Sequence, residues 1–149
     1  MSASPSSKVL RTLLSAAKAS RRRAHAPYSG FHIGAAVRSS DGRIHAGCNV
    51  ENASYGGTVC AERVAVFKAI SEGVKGPLTD VCVVSEASPP WPPCGFCRQV
   101  LAEFSTPDTR IHLASPRRIE RTMLLKELFP EGFGPTNIKS GKSRRGLKR

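Results

Sequence analysis

Thr58-Val59-Cys60-Ala61-Glu62-Arg63 and Pro92-Pro93-Cys94-Gly95-Phe96-Cys97-Arg98-Gln99 are the two stretches that decide how this chain is read. Cys94 and Cys97 are three residues apart, which on the first turn of a helix puts both sulfurs on one face, where a single tetrahedral zinc can bridge them. Alone, a Cys-x-x-Cys pair equally describes a redox couple or half of a structural zinc ribbon. The rest of the set separates these readings. A redox couple has no use for a third cysteine, and a ribbon needs a fourth ligand from a second Cys-x-x-Cys or a His-x-x-x-His, neither of which occurs. Cys60, Cys94 and Cys97 therefore read as three zinc ligands with one coordination position left open, the arrangement of a catalytic metal.

Glu62 follows Cys60 by two residues, which on an ideal helix turns it about 200° away, so it is not expected to share the metal in the same way. At the start of a helix, first-turn geometry and a long side chain can still bring its carboxylate beside a metal-activated water. The functional reading is a proton shuttle. The plainer one is a first-turn glutamate favoured by the helix dipole. Three thiolates on Zn²⁺ leave a net charge of about −1, which weakens the metal as a Lewis acid unless something offsets it. Two helix N-termini would help, as would Arg63 and Arg98, each one residue from a ligand; position alone does not separate that role from an exposed surface charge.

The chain has 149 residues, 40% of them hydrophobic, and no internal repeat, which suits one domain with a proper core. Its net charge of +12 sits at the ends. Residues 1–40 carry seven Lys or Arg and no acid, residues 136–149 carry six and no acid, and the middle holds ten basic against eleven acidic residues. With aromatics at only 6% and no interleaved basic and aromatic stripe, nucleic acid is not the expected partner beyond weak contact by the basic termini. Five cysteines, without a hydrophobic leader ahead of them, suit a reducing compartment better than a disulfide framework. No run of eighteen apolar residues marks a membrane span. The expected location is cytoplasmic. The Ser- and Arg-rich, acid-free residues 1–26 also fit a mitochondrial transit segment, and the basic termini leave nuclear targeting open, although a genuine first helix is the simpler reading.

Apolar spacing at Val9, Leu10, Leu13, Leu14 and Ala17 predicts an amphipathic helix from a Ser6 or Ser7 cap to about Arg22. Phe31 to Val37 reads as a strand, Asp41-Gly42 as a hairpin turn, and Arg43 to about Val50 as the return strand. A second helix is expected from near Thr58, burying Val64, Phe67, Ala69 and Ile70 before Gly73 ends it. Val81 to Val84 reads as a buried strand, Ser88 to Pro93 as an irregular proline-rich loop, Cys94 to about Phe104 as a third helix, and Arg110 to Ala114 as a further strand. Residues 119–128 fit strand or helix, and residues 136–149 are expected to form a basic tail without fixed structure, leaving 1–135 as the domain. This order predicts an α/β chain of three α/β/α layers with both metal-binding stretches at helix N-termini. Cys48 and Cys82 read as buried thiols, none of the four histidines has ligand spacing, and Trp91, beside the ligand loop, reads as stacking on a ring or packing over the loop, packing being the simpler reading.

Taken together, Pro27-Tyr28-Ser29, Phe31, Gly34-Ala35-Ala36, Gly47 through Ala53, Cys60-Ala61-Glu62-Arg63, Pro93 through Gln99 and Phe133-Gly134-Pro135 resemble the small, homotetrameric cytidine deaminases over most of residues 26–135. The resemblance implies a cytidine deaminase-like fold with a mixed central sheet, and zinc held by Cys60, Cys94 and Cys97. It implies Glu62 as proton shuttle, Asn49 and Glu51 on the ribose hydroxyls, Phe31 stacked near the pyrimidine and Phe133 reaching a neighbouring subunit's site. An amide and a carboxylate on one strand edge also suit a diol in their own right. The implied reaction is hydrolytic deamination of cytidine or deoxycytidine in pyrimidine salvage. Its rivals are a related zinc deaminase acting on blasticidin S or on cytosine in nucleic acid, and a structural or redox zinc module. The chain departs from the family pattern in its basic tail, its Trp91 loop and an indistinct last strand.

Overall fold

The computed structural model describes residues 4–138. Of the tail expected to lack structure, residues 139–149 lie outside the described residues, and 136–138 fall in a helical turn. Helix α1, Ser7–Arg21, begins where Ser6 accepts a hydrogen bond from the Val9 amide at 3.4 Å. It is followed by β1 (Gly34–Ser39) and β2 (Ile44–Cys48), joined through a turn in which Gly42 takes φ of +90°, a conformation glycine adopts without strain. Then come a short 3-10 turn at Tyr55–Gly57, α2 (Ala61–Ser71), β3 (Leu78–Val84), α3 (Gly95–Phe104), β4 (Ser105–Ala114), β5 (Ile119–Leu124) and α4 (Leu125–Leu128).

The five strands form one mixed sheet in the order β2-β1-β3-β4-β5, in which β3 and β4 run parallel and every other pair antiparallel. Alternation along the strands sends Ala35, Val37, Val81, Val83, Ile111 and Leu113 to one face, where Ala61, Ala65, Val66 and Leu101 of α2 and α3 meet them. Ala36, Cys82, Val84 and Ala114 point the other way, onto Leu13 and Ala17 of α1. Three layers result, as expected. Each fully buried Leu, Ile or Val contributes about 1.5–3 kcal/mol.

Two glycines set how closely the helices approach the hairpin. A Cβ on Gly34 would lie 2.0 Å from the Ala17 carbonyl oxygen, and one on Gly47 would lie 2.6 Å from the Ala65 amide nitrogen. Either side chain would push a helix off the sheet. On the α1 face the fully buried Asp80 accepts hydrogen bonds from Arg110 at 2.7 Å and Thr79 at 2.8 Å and lies 3.2 Å from His112. Burial alone would raise the Asp80 carboxyl, but the hydrogen bonds from His112, Arg110 and Thr79 hold it well below the usual carboxylate range.

Several expectations are corrected. Strand β1 begins at Gly34 rather than Phe31, because the Asn49 side chain takes the ladder's place: its Oδ1 accepts from the Ile33 amide and its Nδ2 donates to the Phe31 carbonyl, both at 2.8 Å. Helix α2 begins at Ala61 rather than near Thr58, since Val59 forms a two-way bridge with Val50 first. Phe67 does not enter the core. It is 48% exposed, because α2 lays its small residues Ala61, Ala65 and Ala69 on the sheet and turns position 67 outward. Residues 119–128 divide into β5 and α4 at the point where Glu127 accepts a hydrogen bond from the Leu124 amide at 2.6 Å.

Candidate active site

The two cysteine stretches meet where α2 and α3 start. Cys60 and Cys94 are the N-cap residues of these helices, each with extended backbone, and Cys97 sits in the first turn of α3. The Cys60 and Cys94 sulfurs lie 3.8 Å apart and those of Cys94 and Cys97 lie 3.6 Å apart, with all three within 4.8 Å of one another. Tetrahedral zinc with sulfur ligands at about 2.3 Å requires sulfurs about 3.8 Å apart, so the donor set fits zinc in spacing as well as chemistry. Cys97 is buried, whereas Cys94 is exposed toward the cleft, which leaves a side from which a fourth ligand can approach.

The extended conformation of Cys60 settles where Glu62 points. Cys60 lies outside the helix, so the ideal helical angle between the two does not apply, and Glu62 lines the same cleft as Cys60 and Cys94. Glu62 is only 5% exposed. Burial pushes its carboxyl up to about 7, with the neighbouring Cys60 charge adding to the rise and bonds from its own amide and from Cys97 opposing it. The thiols titrate together. Hydrogen bonds from Cys97, Arg63 and Cys94 draw Cys60 down to about 5, while the bond shared with Cys60, together with burial, pushes Cys97 far up. A low-pKa thiol at two converging helix N-termini is a ready metal ligand.

The two arginines differ. Arg63 donates to the Cys60 sulfur at 3.5 Å and to the Thr58 carbonyl at 3.1 Å, with its guanidinium 5.5 Å from the centre of the Phe96 ring. Arg98 touches no sulfur: it donates to the Pro93 carbonyl at 2.8 Å and the Leu128 carbonyl at 2.7 Å, tying the ligand loop to α4.

From the sulfurs the cleft, about 260 Å³, runs past Ala61, Glu62, Val83 and Thr58 to Phe31, Asn49 and Glu51. Glu51 accepts from the Tyr28 and Ser29 amides at 2.9 and 3.1 Å and from the Ser29 hydroxyl. These bonds, Ser29's hydroxyl first, hold its carboxyl below the usual range. Asn49 holds the backbone of Phe31 and Ile33, as described above. The structure thus gathers Phe31, Asn49, Glu51, Cys60, Glu62 and Cys94 around one cleft. It does not bring Phe133 there: that ring is exposed beside α4, and its carbonyl accepts from Gln99 at 2.9 Å.

Residues 7–113 match the family described as "Cytidine and deoxycytidylate deaminase zinc-binding region". The chain belongs to the cytidine deaminase family. It is 44% identical over 121 residues to a cytidine deaminase of Halalkalibacterium halodurans, covering 81% of this chain and 91% of that one. With a cytidine deaminase of Sporosarcina psychrophila it shares 42% over 127 residues, covering 85% and 92%. Crystal structures agree in fold. A cytidine deaminase from Burkholderia pseudomallei superposes with a TM-score of 0.78 at 43% identity, over 83% of this chain and 98% of that one. One from Mycobacterium tuberculosis gives 0.72 at 40% identity, over 83% and 96%. Zinc is the family's metal, and Cys60, Cys94 and Cys97 of this deaminase form the cluster able to hold it.

Sequence reasoning left one residue of the cleft between two readings. Trp91 lines it and meets Phe31 in a T-shaped contact, ring centres 4.8 Å apart and planes at 76°. The signal was there: a single tryptophan, flanked on each side by two prolines, immediately before the ligand pair.

Proposed function

We propose that this cleft deaminates cytidine and deoxycytidine hydrolytically to uridine and deoxyuridine, releasing ammonia, in pyrimidine salvage. The observation that supports it best is the convergence of a buried carboxyl and three sulfurs at one end of a cleft whose other end carries an amide and a carboxylate. When bound, zinc acidifies a water molecule and so supplies the nucleophile at neutral pH. The protein's own residues do the remainder. Glu62 takes one proton from the attacking water and delivers it to N3 of the pyrimidine as oxygen adds to C4. It then takes the remaining proton from the C4 hydroxyl and passes it to the amine as the C4–N bond breaks and ammonia leaves. A buried carboxyl near neutrality is suited to both halves of that transfer. Arg63 draws charge from the Cys60 sulfur and offsets the excess negative charge of three thiolates, and Arg98 serves the site by pinning the ligand loop.

At the sugar end, Asn49 spends one hydrogen and one lone pair on the Phe31–Ile33 backbone and keeps another of each for a ribose hydroxyl. Glu51, held as a carboxylate by the Tyr28–Ser29 amides, accepts from the other hydroxyl. Phe31 stacks on the pyrimidine. The assembly is a homotetramer in which Phe133 approaches a neighbouring copy's site, a reading supported by Phe67, Phe96 and Phe133, large aromatics left in solvent. Five free thiols suit a reducing, cytoplasmic setting, and among the described residues no helix is long and apolar enough to cross a membrane.

Purified protein assayed for ammonia release is the test. Turnover of cytidine and deoxycytidine, with none of blasticidin S or a cytosine-containing single-stranded oligonucleotide, is the expected result. Turnover confined to the antibiotic or the oligonucleotide would overturn the nucleoside assignment.

A further inference from the structure

We infer that Trp91 is a substrate-positioning residue, which holds Phe31 in the orientation that receives the pyrimidine ring. Three observations converge on it. The Trp91 and Phe31 rings meet in an edge-to-face contact, 4.8 Å between centres and 76° between planes. Both line the cleft that contains Cys60, Glu62 and Cys94. Both also line a second, adjoining hollow of about 270 Å³ formed with His32, Ser85 and Glu86, so the pair, together with Ile33 and Ser85, borders two open spaces.

Phe31 is 55% exposed, and the hydrogen bonds around it restrain its backbone, through Asn49 and the Ser29 hydroxyl, without restraining its χ angles. With open space on either side, the Phe31 ring would turn into the adjoining hollow unless an edge blocked it. Trp91 is the neighbouring ring that blocks it, its plane at 76° to that of Phe31. Its own backbone is unusually stiff, because Pro89, Pro90, Pro92 and Pro93 fix φ on both sides and the Trp91 amide donates to the Ser85 hydroxyl at 3.3 Å. The aromatic pair prefers a T-shaped arrangement, which holds the Phe31 ring at one angle where it lines the cleft. A planar ring stacking on it is then positioned with its reacting carbon toward the sulfurs. The cost of ordering Phe31 is met before substrate arrives, so Trp91 acts on binding and leaves the proton transfers to Glu62.

The inference rests on the reading of Phe31 as the stacking ring, and the test separates the two. Trp91→Phe, Trp91→Leu and Phe31→Leu are prepared, zinc content is measured on each, and kcat and KM for cytidine are determined. Trp91→Leu keeps an apolar side chain but loses the aromatic ring, so KM rises about tenfold with zinc content unchanged and kcat within about twofold of wild type. Trp91→Phe restores a ring and returns KM to near the wild-type value. As the chain's one tryptophan, Trp91 also reports directly: the expected result is that uridine, the product of the proposed reaction, quenches wild-type fluorescence along the same saturation curve by which it inhibits, and unchanged fluorescence at inhibiting uridine would count against the inference. A wild-type KM in Trp91→Leu would overturn the inference, as would equal loss of kcat and zinc in both Trp91 variants, which would mark a residue that merely packs the ligand loop. If Phe31→Leu itself keeps the wild-type KM, the stacking role of Phe31 fails first; if Phe31→Leu raises KM and Trp91→Leu does not, only the Trp91 inference fails.

Discussion

The two ends of the cleft are built by different means. At the metal end, every reactive side chain is on or beside the first turn of a helix packed against the sheet, so its position follows from the regular elements. At the other end, proposed to take the sugar and the ring, Phe31, Asn49, Glu51 and Trp91 sit on segments without regular structure. They hold one another through side-chain bonds to backbone and through ring contacts. The lesson is a division of labour. On the proposed function, chemistry is placed by elements that the whole core stabilises, and recognition by loops that a few polar bonds tie down, which leaves recognition easier to alter without losing the fold.

That contrast predicts that damage at the metal end abolishes turnover, while damage at the other end weakens binding. The largest effect is expected from Cys97→Ser. Cys97 is the buried member of the sulfur cluster, and its loss releases zinc and takes ammonia release to background, as elemental analysis and the cytidine assay will show. Zinc retained at full occupancy with normal turnover would break the comparison at its strong end. Glu51→Gln is expected to do less. It replaces a carboxylate that accepts from two amides and a hydroxyl with a group carrying donors toward those same donors, and KM rises about 10- to 100-fold with zinc unaffected. Equal loss in kcat and zinc would mean that the loops also support the metal. The smallest expected effect is the tenfold change in KM on removing the Trp91 ring.

The same division explains what could be read from the sequence. Cys-x-x-Cys spacing, a third cysteine and helical periodicity are local patterns, so the sulfur cluster, α1 and the three layers were legible. The side of Cys60 on which Glu62 lies was not, because it depends on Cys60 standing outside the helix with ψ of 156°. Nor was the true start of β1, which is decided by the Asn49 side chain bonding backbone sixteen and eighteen residues away in sequence. Phe67 misled for a third reason. Hydrophobicity indicates what can be buried, but α2 approaches Gly47 so closely that alanines form its inner face and the phenylalanine turns outward. In residues 119–128, strand and helix patterns were both present because both elements form there, divided where Glu127 bonds the Leu124 amide.

The central claim is that Glu62 carries protons and does not hold the metal. Glu62→Gln keeps the side chain's size and its place in the cleft but removes the ability to accept and return a proton. Zinc content and single-turnover ammonia release from cytidine, measured on the same sample, test this most directly. The account predicts full zinc occupancy with the chemical step slowed about 10²- to 10⁴-fold. Zinc lost together with activity, or a chemical step at the wild-type rate, would contradict it.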